Sequence, residues 1–369
     1  MYLSELTYQG FRNLKPHTLS LGQGINIFYG QNAQGKTNLI EAVYFCAMGR
    51  SYRTHNYKEL IHFEEKAAFI QAKVENERLK DTLELFLGRD KKNIAINGIT
   101  VKKLGELFGT FLVVIFSPED LELVKAGPTI RRKLMDLNLC QLSPVYYHEL
   151  ARYYHVLKQR NNLLKHLKKD KNLALAETLF IWNEQLAQHG SKIIGYRQKY
   201  VEDLNDIAHG LHGKLTGHKE ALSLVYKPYV SAPLFLEKLE KAYERDLYLG
   251  STSVGIHKDD LGIFINGIET KNYGSQGQQR TASLAIKLSS IDYIYEKKQT
   301  YPILLLDDVL SELDKDRQSF LLGQIKNIQT LITCTGVEDV IINLPPDKDI
   351  QLYHVQDGTI TKGETHDNK

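Results

Sequence analysis

The sequence predicts an α/β fold of two lobes, a head of strands and helices with a helical lobe inserted into it. Three observations predict this. A strand, a glycine loop and a helix follow one another near the start, and an apolar strand ending in paired acids lies far downstream. Between them runs a long insertion whose hydrophobic period changes from two to that of a helix. The 369 residues suffice for two lobes with buried cores, and a composition 42% hydrophobic and 25% charged is that of an ordinary globular protein. No apolar run approaches the ~20 residues of a membrane span, and the opening residues lack a secretory-signal pattern. Cys46, Cys140 and Cys334 are scattered, odd in number and without metal-ligand spacing, which points to a reduced compartment. The expected location is the cytoplasm, with no membrane partner.

Ile25-Asn26-Ile27-Phe28-Tyr29 reads as a short buried strand, and Asn38 to Met48 as a helix with Leu39, Ile40, Val43 and Tyr44 on one side. Between them, Gly30-Gln31-Asn32-Ala33-Gln34-Gly35-Lys36-Thr37 fits the full phosphate-loop pattern. Glycines let backbone N–H groups close around phosphate oxygens, and the helix N-terminus adds its positive dipole end. Lys36 would reach the β- and γ-phosphates and the Thr37 hydroxyl would ligand Mg²⁺. The nucleotide is ATP or GTP.

The insertion starts β-rich, with strands at Phe69 to Val74, Asp81 to Leu87, Ile94 to Ile96 and Phe111 to Phe116, and a hairpin turn at Asn97-Gly98. Helices follow from about Pro144 to Lys169 and from about Leu173 to Leu211, joined by a polar turn at Lys169 to Asn172. The second places Leu179, Trp182, Leu186, Ile193, Tyr196, Tyr200 and Ile207 on a heptad seam interrupted by His189 and Asp203. Gly262 to Ile268 returns to strand with an Asn-Gly turn. Tyr273 to Thr281 then forms a small polar glycine turn opening a helix at Ala282 to Leu288, a second anion site of the same physical kind.

Tyr301-Pro302-Ile303-Leu304-Leu305-Leu306-Asp307-Asp308 is a buried strand delivering carboxylates at its end. Asp307 would hold Mg²⁺, through water or directly, and Asp308 would orient or deprotonate the attacking water. Ser311 to Asp314, an amphipathic helix from Lys315 to Ile325 and a strand from Leu331 to Thr335 follow. Residues after Gly358 read as a frayed polar tail. The net charge of +3 does not by itself demand nucleic acid. Local basic groups are Arg50 and Arg53, Arg131-Arg132-Lys133, and Lys158, Arg160, Lys165, Lys168, Lys169 and Lys171. The last set reads equally as a DNA-facing stripe or as the solvated face of a helix, and Arg131 and Arg132 could equally pair with acids of the nucleotide site. His257, Asp259 and Asp260 fit a cap or surface pair better than a metal site.

Two phosphate-binding devices in one chain resemble the ABC-type ATPases, whose signature motif is matched by Ser275-Gln276-Gly277-Gln278. In that family two heads face each other, and the signature of one caps the ATP held by the other. The resemblance implies an ABC-type P-loop head, residues 1–125 and 250–369, with residues 126–249 forming a short SMC-like arm. Gly30 to Thr37 and Ser275 to Gln278 would bind ATP, Thr37 and Asp307 would bind Mg²⁺, and Lys36 and Asp308 would be catalytic.

The match extends to Gly10-Phe11-Arg12-Asn13-Leu14 as an opening strand and to Gly49-Arg50-Ser51-Tyr52-Arg53-Thr54. It continues through Phe116-Ser117-Pro118-Glu119-Asp120, Gly127-Pro128, Arg131 to Asp136, and His257-Lys258-Asp259-Asp260-Leu261. Together these resemble the RecF family, SMC-like ATPases of bacterial recombination repair. The resemblance implies an ATP-dependent homodimer that binds duplex DNA near single-strand gaps and works in the nucleoid. It would act with RecR and RecO to load the recombinase RecA, supporting replication restart and SOS induction. Three departures from transporter relatives predict slow hydrolysis: Asp308 stands where they have glutamate, Phe116 to Asp120 contains no glutamine, and Thr335-Gly336 replaces a switch histidine. Rival readings are a nucleotide-gated clamp whose hydrolysis is incidental, a nuclease with a similar head, and a nucleotide kinase. The segment after Thr335 is too short for the nuclease's metal domain, and a kinase has no use for the signature or the arm.

Overall fold

The computed structural model describes residues 1–76, 79–169, 176–325, 327–342, 344 and 349–363, apart from the side chains of 338 and 339. The chain divides into two compact units, Met1–Leu121 with Ser290–Lys369, and Glu122–Ser289.

The first unit contains two six-stranded sheets. One is antiparallel, in the order β2-β1-β4-β5-β6-β7, formed by Tyr2–Gln9 (β1), His17–Ser20 (β2), Ala67–Glu75 (β4), Lys80–Gly88 (β5), Lys92–Ile96 (β6) and Ile99–Thr100 (β7). Along β4, buried and half-exposed residues alternate, so one face meets the core. The other sheet runs β15-β14-β3-β13-β12-β8, from Ile25–Tyr29 (β3), Val113–Phe116 (β8), Ile303–Asp307 (β12), Thr330–Cys334 (β13), Ile350–Gln356 (β14) and Thr359–Lys362 (β15). Its strands β8, β12, β3, β13 and β14 pair in parallel, and β15 is antiparallel at the edge. The continuous apolar runs at 303–306 and 331–332 are the composition such doubly covered strands require. Helix Lys36–Met48 is buried almost all round because it packs against strands of both sheets. Gly49 ends it at φ +60°, returning its N–H to the Phe45 carbonyl at 2.8 Å.

Two expectations for this unit need correction. Gly10 to Leu14 is not the opening strand but the turn after it, with Gly10 and Arg12 at positive φ. Residues beyond Gly358 are not all tail: Thr359–Lys362 pairs with β14, Val355 opposite Ile360, across an Asp357-Gly358 turn with both residues at positive φ.

In the second unit, helices Pro128–Leu142, Pro144–Lys169 and Leu179–Leu215 accompany a small sheet, β11-β10-β9, of Leu222–Lys227 (β9), Asp260–Ile265 (β10) and Ile268–Glu269 (β11). The bonds Arg160 to Asn183 and Glu149 to His189 show the two long helices running antiparallel, as a hairpin requires. The turn expected at Lys169 to Asn172, with Lys171, and the expected helix start at Leu173 lie outside the described residues, except for Lys169, which closes the first long helix. The buried face of the second long helix is broader than a heptad seam and turned from it. Asn183, Ala187, Gly190, Arg197, Val201, Leu204 and Ala208 are buried, whereas Trp182, Tyr196 and Ile207 are half-buried. Its partners include the Phe235 ring, against which a Cβ at Gly190 would stand at 2.1 Å, and strand β9, so more than one stripe is covered. Residues 250–289 group with this unit because β10 pairs along its whole length with β9.

Charged side chains knit the interior of this unit. Arg160, fully buried, donates to Asn183 Oδ1 and Asp246 Oδ2, both at 2.7 Å, and to Thr252 Oγ1 at 2.8 Å. Arg197 bridges Asp136 Oδ1 and Asp259 Oδ2, both at 2.8 Å. Arg131 grips Asp260 with two bonds of 2.7 and 2.9 Å, and Arg132 donates to the Asp259 carbonyl. His257 Nε2 donates to the Thr252 carbonyl at 3.1 Å, which leaves Nδ1 to accept the Tyr153 hydroxyl at 2.9 Å. Burial lowers its pKa to about 4. Among the described residues no group of three or more His, Cys, Asp or Glu side chains is placed to hold a metal ion.

Two outcomes follow. Replacing Arg160 by alanine strands Asp246 in the interior and should cost about 3–5 kcal/mol, read as a lower urea midpoint for the second unit. Replacing Arg160 and Asp246 together by leucine should cost less. For His257, the unfolded chain binds a proton below about 6.5 that the folded imidazole refuses until about 4. Stability should therefore fall as the pH drops through that window, and His257→Gln should flatten the fall in urea midpoints.

Candidate functional site

Strands β3, β12 and β13 are parallel and in register, Thr333 opposite Asp307 and Cys334 opposite Tyr29, so their carboxyl ends lie side by side. The loop Gly30 to Gly35 leaves β3 there and wraps into helix Lys36–Met48. Gly30 at φ +152° has the Val355 carbonyl 2.3 Å from where a Cβ would stand, Gly35 sits at φ +114° and Ala33 at φ +65°. Lys36 is 5% exposed and folds back to donate to the carbonyls of Gly30 and Gln31 at 2.7 and 2.8 Å. Asn32, Ala33, Gly35, Lys36, Thr37, Asn38, Arg53 and Asp308 line a cleft of 430 Å³.

Asp307 is nearly buried, and hydroxyls satisfy it. Thr37 Oγ1 and Thr333 Oγ1 donate to Oδ1 at 3.0 and 3.1 Å, and the Tyr52 hydroxyl donates to Oδ2 at 2.7 Å. Burial and the Asp307 charge push the Tyr52 pKa well up, so the phenol stays a donor. A hydroxyl and a carboxylate 3.0 Å apart are hard oxygen donors of the kind Mg²⁺ takes, so the residues present fit that ion. Asp308 follows at φ +56°, its N–H donating to Thr333 Oγ1 at 2.9 Å. Burial raises its pKa, Lys36 opposes the rise, and Asp307 and Glu312 add to it. That is the direction in which a carboxylate becomes a better proton acceptor.

Behind the cleft, Glu41 is fully buried in the phosphate-loop helix. Arg12 holds both its oxygens at 2.9 Å, Arg53 adds a bond of 3.2 Å, and the Ser51 hydroxyl donates to Oε1. Arg53 also donates to Asn38 Oδ1 at 2.8 Å, and Asn38 to Asn13 Oδ1 at 2.7 Å. The far hairpin braces the loop itself: Gly358 N–H donates to the Gln34 carbonyl at 3.0 Å, and a Cβ on Gly358 would stand 1.9 Å from the Asn13 carbonyl oxygen. Sequence reasoning placed neither Tyr52 nor Arg53 at this site. The clue was their position just past the phosphate-loop helix.

Ser275 to Gln278 form a capping box at the start of helix Gln276–Lys298. Ser275 Oγ accepts the Gln278 N–H at 3.2 Å, and Gln278 Oε1 accepts the Ser275 N–H at 2.9 Å. Ser275, Gln276 and Gly277 are exposed. Two residues of the local basic groups are interior. Arg131 is 2% and Arg160 0% exposed, each held by a carboxylate of its own unit, so Arg131 is not spent on acids of the nucleotide site. Arg50, Lys158, Lys165, Lys168 and Lys169 are exposed.

Residues 2–361 match the RecF/RecN/SMC N terminal domain family. The DNA replication and repair protein RecF of Lachnoclostridium phytofermentans is 44% identical over 365 residues, covering 98% of this chain and 100% of that protein. RecF of Clostridium tetani is 44% identical over 368 residues, covering 97% and 99%. The solved structure of the recombination mediator protein RecF-ATPrS in the RecFOR pathway superposes with a TM-score of 0.90 at 36% identity, covering 98% of each chain. An Smc head domain from Pyrococcus furiosus, at TM-score 0.55 and 15% identity, shares the fold. An ABC-type ATPase head with a helical insert, matched along nearly its whole length by RecF proteins, places the chain in the RecF family.

Proposed function

We propose that the protein is an ATP-gated DNA-binding switch of recombinational repair. The observation that carries this reading is the meeting of Thr37, Asp307 and Asp308 beside the phosphate loop. In this reading Gly30 to Gly35 wrap the phosphates, Lys36 turns from its loop carbonyls to the β- and γ-oxygens, and Thr37 and Asp307 hold Mg²⁺. The metal, when bound, neutralises charge developing between the phosphates. Asp308 takes a proton from the attacking water. Its side chain is one methylene shorter than glutamate, which supports slow turnover.

Ser275 to Gln278 present a helix N-terminus and a hydroxyl to a second protomer's γ-phosphate, so ATP drives homodimerisation. Although residues 250–289 group with the second unit, they serve the head of 1–125 and 250–369 in this reading, while 126–249 act as the arm. The dimer holds duplex DNA near gaps through exposed lysines such as Lys158, Lys165, Lys168 and Lys169, with phosphate contacts that make binding salt-dependent and nearly blind to sequence. Hydrolysis reopens it. Relatives named for the RecFOR pathway support RecR and RecO as partners; in this reading RecA loading, replication restart and SOS induction lie downstream. The short Asp308 carboxylate also favours a second reading, a clamp whose hydrolysis is incidental.

Sedimentation with Mg²⁺ and ATP, with and without a duplex oligonucleotide, tests this directly. Lys36→Met should lose nucleotide binding and dimerisation together. Ser275→Arg should keep nucleotide binding and lose dimerisation, and a Ser275→Arg dimer formed with ATP would remove the shared-site mechanism. Asp308→Asn should lower single-turnover hydrolysis by about 10²-fold or more while leaving an ATP-bound dimer on DNA. Full repair activity in that variant would favour the incidental-hydrolysis clamp.

A further inference from the structure

The signature is tied to the segment that follows the long helix of its own unit by Glu220, a side chain its motif does not include. Gln278 uses its oxygen on the Ser275 N–H at 2.9 Å and its amide nitrogen on Glu220 Oε1 at 2.8 Å. These two partners demand the same amide orientation, since an N–H can only donate and a carboxylate can only accept. With the amide fixed, the Gln278 backbone N–H stays on Ser275 Oγ, and the serine O–H proton is left to donate outward. Glu220 is itself positioned. The segment after it is laced to helix Leu179–Leu215: Leu224 N–H donates to Asn205 Oδ1 at 2.7 Å and His209 Nδ1 donates to the Leu222 carbonyl at 2.9 Å. Buried His212, in the last turn of that helix, stands 3.8 Å from Glu220 Oε2. Ala221 N–H is fixed to Asn266 Oδ1 at 2.8 Å.

We propose that Glu220 is a positioning residue for the signature, holding the Gln278 amide so that Ser275 meets a second protomer's nucleotide, and making that geometry depend on the long arm helix. This rests on the reading that the signature caps ATP across a dimer. Losing Glu220 removes one charge-assisted hydrogen bond and frees Gln278 to leave the box.

The test exchanges donor and acceptor. Glu220→Ala should weaken the ATP-dependent dimer about tenfold, with nucleotide binding by the monomer unchanged. Gln278→Glu keeps a cap acceptor for Ser275 but sets two carboxylates together, and should weaken the dimer similarly. In Glu220→Gln with Gln278→Glu the new amide donates to the new carboxylate, and dimerisation should recover several-fold relative to Gln278→Glu alone. Amide exchange at 275–281, measured without nucleotide, should quicken in Glu220→Ala and recover in the double variant, with exchange elsewhere unchanged. A double variant no better than Gln278→Glu alone, or exchange at 275–281 indifferent to Glu220, overturns the proposal. So does faster exchange in Glu220→Ala with unaltered dimerisation, provided Ser275→Arg abolishes the dimer. Should Ser275→Arg dimerise normally, the cross-protomer cap has failed and the proposal with it, an outcome the exchange data distinguish from a failure of Glu220 itself.

Discussion

Asp307 is a nearly buried carboxylate that holds the phosphate-loop helix, the loop beyond it and a neighbouring strand in one place through the hydroxyls of Thr37, Tyr52 and Thr333. A carboxylate removed from water must be satisfied, and the kind of donor decides what else it can do. An arginine or lysine there would make an ion pair that a metal ion must break. Hydroxyls rotate, donate weakly and can themselves become ligands, so the carboxylate stays available to a hard cation. Thr333 serves twice, donating to Asp307 and accepting from the Asp308 N–H, and so couples the positions of the two acids.

One layer further in, Glu41 gathers Arg12, Ser51 and Arg53 around the same helix. The two arginines come from turns far apart in the sequence, and a charge buried without them would be strongly destabilising. The arrangement fixes both turns against the helix, and Arg53 from one of them lines the cleft. Asn38 then passes the constraint from Arg53 on to Asn13 beside the loop.

Much of this was legible in the residues. The strands at 25–29, 303–307 and 330–334 announce themselves as short runs rich in Ile, Leu, Phe and Cys, and the glycine loop, the paired acids and the signature each stand at a recognisable spacing. The illegible parts are tertiary. Nothing in a run of basic residues distinguishes Arg160, sealed against Asp246, from Lys158 two residues earlier in solvent. The heptad reading missed how many partners the long helix has: a glycine at 190 is silent in a hydrophobic pattern, yet it admits the Phe235 ring. Tyr52 could be placed beside its acid only once the parallel register was known. The closing hairpin, by contrast, was announced by Asp357-Gly358 and overlooked beneath the polarity of the residues around it.

The register of β3 sets an order on how the molecule can be made. Its neighbours on the two sides are β13 and β14, with Ile25 opposite both Thr330 and Ile350, about 300 residues later in the chain. Strand β1, by comparison, finds its partners β2 and β4 within the first 75 residues. As the polypeptide leaves the ribosome, the antiparallel sheet can close early, while the strand bearing the phosphate loop waits for nearly everything else to be synthesised. Such long-range pairing is slow and leaves apolar edges open in the meantime. A nascent chain therefore carries the glycine loop long before the strands that flank β3 exist, and the cleft beside that loop cannot take its shape until those last strands have emerged.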